Sequence, residues 1–154
     1  LIEINYWSKP MNKAWMIGAI ALLGGPVLAT TAQAVERTEA SEQAQAYIIS
    51  PQNGEVVGKT FKVKFGLSGM GVAPAGVDVK NTGHHHLLVD KDELPAMDKP
   101  MGGDVTHFGG GQTETTVTLE PGEHTLQIIL GDKNHVPHNP AVVSEKITIT
   151  VKED

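Results

Sequence analysis

The sequence predicts an all-β protein, an immunoglobulin-like antiparallel β-sandwich in a single domain, preceded by a cleavable signal peptide. Three observations predict it. Apolar residues recur with a period of two from Tyr47 onward, the spacing of half-buried strands, and no stretch there keeps a helical period. Pro- and Gly-rich turn signals separate these runs. An apolar stretch near the start is flanked by a positive charge and by small residues.

Residues 1–10 precede Met11 and are read as an artefact of an upstream start. In residues 11–34, Lys13 is followed by the apolar run Ala14-Trp15-Met16-Ile17-Gly18-Ala19-Ile20-Ala21-Leu22-Leu23 and then by Ala32-Gln33-Ala34. That layout is a secretory signal with cleavage after Ala34. The run is too short, and polar residues follow too closely, for a good membrane span. The expected location is therefore periplasmic or secreted, with no stable membrane span after processing. Residues 35–46 are rich in Glu, Ala and Gln without an apolar face, and read as a flexible lead-in. The sandwich domain is assigned to residues 47–154.

Within that domain, short strands are expected at residues 47–49, 55–57, 85–89 and 115–119. Phe61, Val63, Phe65 and Leu67 alternate with Lys62, Lys64 and Gly66. Leu126, Ile128 and Leu130 repeat the pattern, as do Ile147, Ile149 and Val151. Phe61, Val63, Phe65, Leu126, Ile128, Ile147 and Ile149 are the expected shared core. A small barrel is the alternative architecture. Residues 90–111 are too long for an idle connection in a domain of about 100 residues. They read as a binding loop or flap, and because sandwich loops cluster at two ends, this one can meet the loop holding His135 and His138.

The chain has no cysteine, seven histidines and a net charge of −6. An acidic chain without a basic patch is a poor nucleic-acid binder, which excludes that class of partner. Without cysteine there is no disulfide to staple the fold and no thiol nucleophile. No Gly-x-Ser-x-Gly elbow is present, and Ser68 and Ser144 are not spaced as a triad with any histidine. Residues 54–60 resemble a P-loop but are one residue short and run into an alternating strand where a helix is required. Asp90, Asp92, Glu93 and Asp98 lack the pattern of an EF-hand loop. No enzyme is expected.

The histidines carry the functional expectation. In Gly83-His84-His85-His86-Leu87-Leu88-Val89, strand alternation sends His84 and His86 to one face and His85 to the other. His-x-His on a strand can converge on one metal ion, and His107, His135 and His138 stand in loops able to complete the set. Imidazole without thiolate suits copper, zinc or nickel. His85 shares phase with Leu87 and Val89 and reads equally as a core histidine; His124 reads as a structural side chain bonded to backbone. Met97 and Met101 are soft donors that tilt the choice toward copper. Imidazoles of ordinary pKa would release a metal as the pH falls near 6.5.

The segments Tyr47-Ile48-Ile49-Ser50-Pro51, Val63-Lys64-Phe65-Gly66-Leu67-Ser68-Gly69-Met70-Gly71, Gly83-His84-His85-His86-Leu87-Leu88, His107-Phe108-Gly109-Gly110-Gly111-Gln112-Thr113, Pro121-Gly122-Glu123-His124 and Gly131-Asp132-Lys133-Asn134-His135-Val136-Pro137-His138 together resemble an exported bacterial family, domain of unknown function 4399. The resemblance implies an exported single domain and no particular activity. The expectation is thus a periplasmic ligand-binding domain that takes copper or zinc through His84, His86, His107, His135 and His138. The alternative is a cell-envelope interaction module that binds a protein or glycan through residues 90–111 without metal.

Overall fold

A computed structural model describes residues 35–153. The leader assigned to residues 11–34, and residues 1–10 before it, lie outside the described residues. Among the described residues there is no helix, and none therefore long and apolar enough to cross a membrane. The strands are β1 (Gln45–Ser50), β2 (Val56–Val57), β3 (Thr60–Ser68), β4 (Gly71–Val72), β5 (Thr82–Val89), β6 (Thr106–His107), β7 (Glu114–Thr118), β8 (Gly122–Gly131) and β9 (Ile147–Val151). Every strand read from the period-two pattern is present. The short β4 and β6 were not anticipated, because both lie in Gly-rich stretches that read as turns.

The strands form two sheets, one ordered β1-β3-β7 and the other β2-β9-β8-β5-β4, with β6 pairing to β5. Pairing is antiparallel except for β2 with β9 and β4 with β5, so the larger sheet is mixed. One core lies between the sheets. Val63 and Phe65 of β3 meet Leu87 of β5, Leu126, Ile128 and Leu130 of β8, and Ile149 and Val151 of β9, all buried. Phe61 and Ile147, also expected in the core, pack against it while only partly buried. Burial at about 25 cal/mol per Å2 of apolar surface is the main favourable term holding this fold, since no disulfide contributes.

A second, smaller apolar cluster lies on the other face of the larger sheet, where Leu88 and Ile129 are covered by Val105, Met97, Met101 and Val143. It fastens residues 90–111 onto the sheet. Residues 35–46, expected as a loose lead-in, are tied down as well. Arg37 Nε donates to the Pro137 carbonyl at 3.0 Å, and its guanidinium also reaches the His138 carbonyl. Thr38 Oγ1 donates to Asp132 Oδ2 at 2.6 Å, while Asn139 N donates to Thr38 O and Ala40 N to Asn139 O. Polar composition concealed this anchoring because the partners, backbone groups and the Asp132 carboxylate, lie about a hundred residues away.

Candidate metal centre

The centre is built on the face of β5 that turns away from the main core. Alternation sends His84, His86 and Leu88 to that face and His85 and Leu87 into the space between the sheets. β6 pairs with β5 in a register that sets His107 opposite His86, and directly opposed residues share a face, so the rings lie 5.1 Å apart. β8 pairs with β5 so that Gly131 stands opposite His84 and Ile129 opposite His86. The missing side chain at Gly131 matters: a Cβ there would lie 2.6 Å from His86 Cε1. At Gly109 a Cβ would lie 2.6 Å from His107 Nε2. Two glycines thus make room for two imidazoles.

His135 arrives from the loop after β8. Asp132 Oδ1 accepts hydrogen bonds from Asn134 N at 2.8 Å and Val136 N at 3.0 Å, and His135 N donates to Asp132 O at 2.9 Å. This tight turn holds His135 in the left-handed region, φ 65°. Its ring meets the others at right angles, 5.0 Å from His84 and 4.5 Å from His107 between centroids. His84 Nε2 and His135 Nδ1 are 3.1 Å apart and share a hydrogen bond.

One ligand atom from each of His84, His86, His107 and His135 can be chosen so that all lie within 4.8 Å of one another, and these four side chains can hold a metal ion. Metal–nitrogen bonds of about 2.0–2.1 Å require nitrogens roughly 3–4 Å apart, so only small ring movements separate this arrangement from coordination. His84 and His86 are fully buried, His135 is partly buried and His107 is exposed, so the centre opens to solvent on the His107 side. His84 Nδ1 and both nitrogens of His86 are buried without a hydrogen-bond partner. Leaving such groups unpaired costs about 1–3 kcal/mol each, a penalty that ligation of an imidazole nitrogen offsets.

The electrostatics favour neutral rings. Burial, then the neighbouring His135 and His107, lowers the His84 pKa to about 4, with Asp132 acting in the opposite direction. Burial, then His84, His107 and His135, lowers His86 to about 3. His107 is lowered too, by burial and then by His135. Lone pairs on His84 and His86 are therefore free of protons at neutral pH.

The remaining histidines stand apart. His138, expected as a fifth ligand, is not brought to the cluster: its ring is buried at the end of the β5–β8 pair, with Nε2 3.2 Å from the Thr82 carbonyl and Nδ1 3.5 Å from that of Leu130. The turn that aims His135 at the centre places His138, three residues on, against backbone. His85 lies in the main core with its ring 5.2 Å from that of Phe65. Burial lowers its pKa, with the Gln112 backbone opposing, so it too stays neutral. His124 bonds Asp90 Oδ2 at 2.7 Å and the Glu120 carbonyl at 2.9 Å. Sequence reasoning did not find Gly109, Gly131, Asp132 or Thr38; of these, only Asp132, two residues before Asn134, carried a local turn signal.

The fold and the site together define a two-sheet β protein with a four-imidazole cluster on the outer face of its larger sheet. The chain belongs to the family described as domain of unknown function DUF4399, whose sequence model matches residues 63–152 and so spans β5, β6, β8 and all four histidines. No curated protein and no solved structure matches the chain.

Proposed function

We propose that this is an exported domain that binds a transition metal ion, copper or zinc, through His84, His86, His107 and His135. The observation that carries the reading is the convergence of four imidazoles from three separate places in the chain, with ligand atoms within 4.8 Å. Structural histidines are ordinarily satisfied by hydrogen bonds, as His124 is; the buried nitrogens of His84, His85 and His86 are unpaired, but only those of His84 and His86 belong to the cluster, while His85 lies against Phe65 in the core. We read the two sheets around one core as an immunoglobulin-like sandwich, with the centre beside one of its ends. Export rests on the leader in residues 11–34 and is tested by N-terminal sequencing of the periplasmic fraction, which should give Val35.

Calorimetric titration with Cu(II) and Zn(II) tests the binding. One ion per chain is expected, with affinity lost by about 10–100-fold or more in His84→Ala or His86→Ala and retained in His138→Ala. Equal losses at all three positions, or affinity no better than that of a surface histidine pair, would leave the envelope interaction module, with residues 90–111 as its contact surface, as the better reading.

A further inference from the structure

Which ion, and in which oxidation state, is decided by three features beyond the four imidazoles. The first is Met101. Its backbone N donates to the His135 carbonyl at 2.9 Å, which pins it beside the ligand loop. A Cβ on Gly131 would lie 2.9 Å from Met101 Cε and 2.6 Å from His86 Cε1, so thioether and imidazole share the space that this glycine leaves. The end of a methionine side chain, the methyl of a soft thioether, thus borders the His86 ring.

The second feature is the disposition of the rings. Four imidazoles around a tetrahedral ion have six nearly equal centroid separations of about 5 Å, whereas a square plane has four near 4.5 Å and two opposed ones near 6.4 Å. Here the opposed pairs are His84–His107 at 5.0 Å with His86–His135 at 6.0 Å, His84–His135 at 5.0 Å with His86–His107 at 5.1 Å, and His84–His86 at 4.7 Å with His107–His135 at 4.5 Å. One long separation without its counterpart is a distorted tetrahedron. Tetragonal Cu(II) does not favour that shape.

The third feature is charge. The four ligands are histidines alone, all neutral donors, so none of them offsets the charge of a bound ion; the buried Asp132 carboxylate acts on His84 from outside the ligand set, and the centre opens to solvent on the His107 side. The cost of burying an ion rises with the square of its charge, which favours a monocation over a dication. The tetrahedral arrangement suits Cu(I) and Zn(II) alike, and the thioether with the neutral ligand set tips the choice to Cu(I).

We propose that the centre takes Cu(I), with the Met101 sulfur as an additional soft donor that selects it over Zn(II) and Cu(II). This inference rests on the four-imidazole reading above. The test is anaerobic competition of the protein with a chromogenic Cu(I) chelator, alongside Zn(II) and Cu(II) titrations, on wild type, Met101→Leu and His86→Ala, with X-ray absorption at the copper edge. Cu(I) should bind tightest, copper should show a sulfur neighbour, and Met101→Leu should abolish that signal and lower Cu(I) affinity by about tenfold or more while Zn(II) affinity stays within about threefold. No sulfur at copper, or equal Cu(I) affinity in wild type and Met101→Leu, would overturn the inference while loss of binding in His86→Ala preserved the four-imidazole reading. Unchanged affinity for every ion in His86→Ala would overturn both.

Discussion

At the scale of single residues, two glycines decide whether the imidazoles can meet. Gly131 and Gly109 have ordinary backbone angles, so their lack of a side chain serves space and not conformation. In Gly131→Ala the new methyl meets His86 and Met101 in a buried site, and overpacking of that kind costs roughly 1–3 kcal/mol. We expect this variant to fold with lowered stability and to lose metal affinity by more than about tenfold. Gly109→Ala, which displaces only the exposed His107, should weaken binding with little effect on stability. Chemical denaturation beside calorimetry of both variants checks the contrast.

Protonation is decided at the same scale. The sequence alone led us to expect metal release near pH 6.5, but burial holds His84 near 4 and His86 near 3. Protons therefore compete for these two ligands only at lower pH, and the affinity lost in His86→Ala should be as large at pH 6 as at pH 7.5 and shrink toward pH 4. The metal-free protein has the complementary weakness. Between pH 6.5 and about 4 the unfolded chain takes up protons that folded His84 refuses, so stability present above 6.5 is lost as the pH falls through that window. Thermal unfolding of metal-free protein across pH 4–8 shows whether the loss follows this course.

At the scale of elements, the centre depends on how loops are fastened. Thr38 holds Asp132, and Asp132 shapes the turn that carries His135, so residues 35–40 position a ligand from outside the cluster. Thr38→Val removes a part-buried hydrogen bond between an exposed hydroxyl and the Asp132 carboxylate; about 1 kcal/mol of local stability should go with it. Metal should then dissociate faster, while Thr38→Ser restores the rate, as stopped-flow chelator exchange would reveal.

A second fastening joins the end of β5 to β8. Asp90 adopts a positive φ of 52°, accepts Thr125 N at 2.9 Å through Oδ1 and pairs with His124 through Oδ2. The pair raises the His124 pKa from 6.5, through the Asp90 hydrogen bond first. The Asp90 pKa is lowered from 3.8: its burial pulls upward, and the hydrogen bonds from His124 and Thr125 outweigh it. The stability from a raised histidine is full below 6.5 and lost as the pH rises through the folded value; that from a lowered carboxylate is full above 3.8 and lost on acidification. The pair therefore contributes most between these limits. Asp90→Asn keeps the left-handed turn, which Asn tolerates, and should cost up to about 1 kcal/mol at pH 5 but much less at pH 9. Urea midpoints of the two proteins at both pH values measure the difference.

At the scale of the whole molecule, one core between two sheets carries the fold. Phe65 touches His85 and Phe108 and belongs to the central cluster, so Phe65→Ala should cost about 3–5 kcal/mol by denaturant titration. That core was legible in the chain because period two survives wherever one face is buried: Val63, Phe65, Leu126, Ile128 and Ile149 followed directly from it. The same alternation separated His84 and His86 from His85. It could not show that β6 exists, that its register sets His107 against His86, or that Arg37 and Thr38 reach across to the His135 loop. Nor could it distinguish His135 from His138, since both lie in one loop and only the turn around Asp132 aims one at the cluster and the other at backbone. The sequence by itself determined which strands form and which faces they bury, because those depend on neighbours two residues apart. The tertiary structure alone decided which histidines meet, because that depends on strand register, two side-chain-free positions at Gly109 and Gly131, and hydrogen bonds between residues distant in the chain.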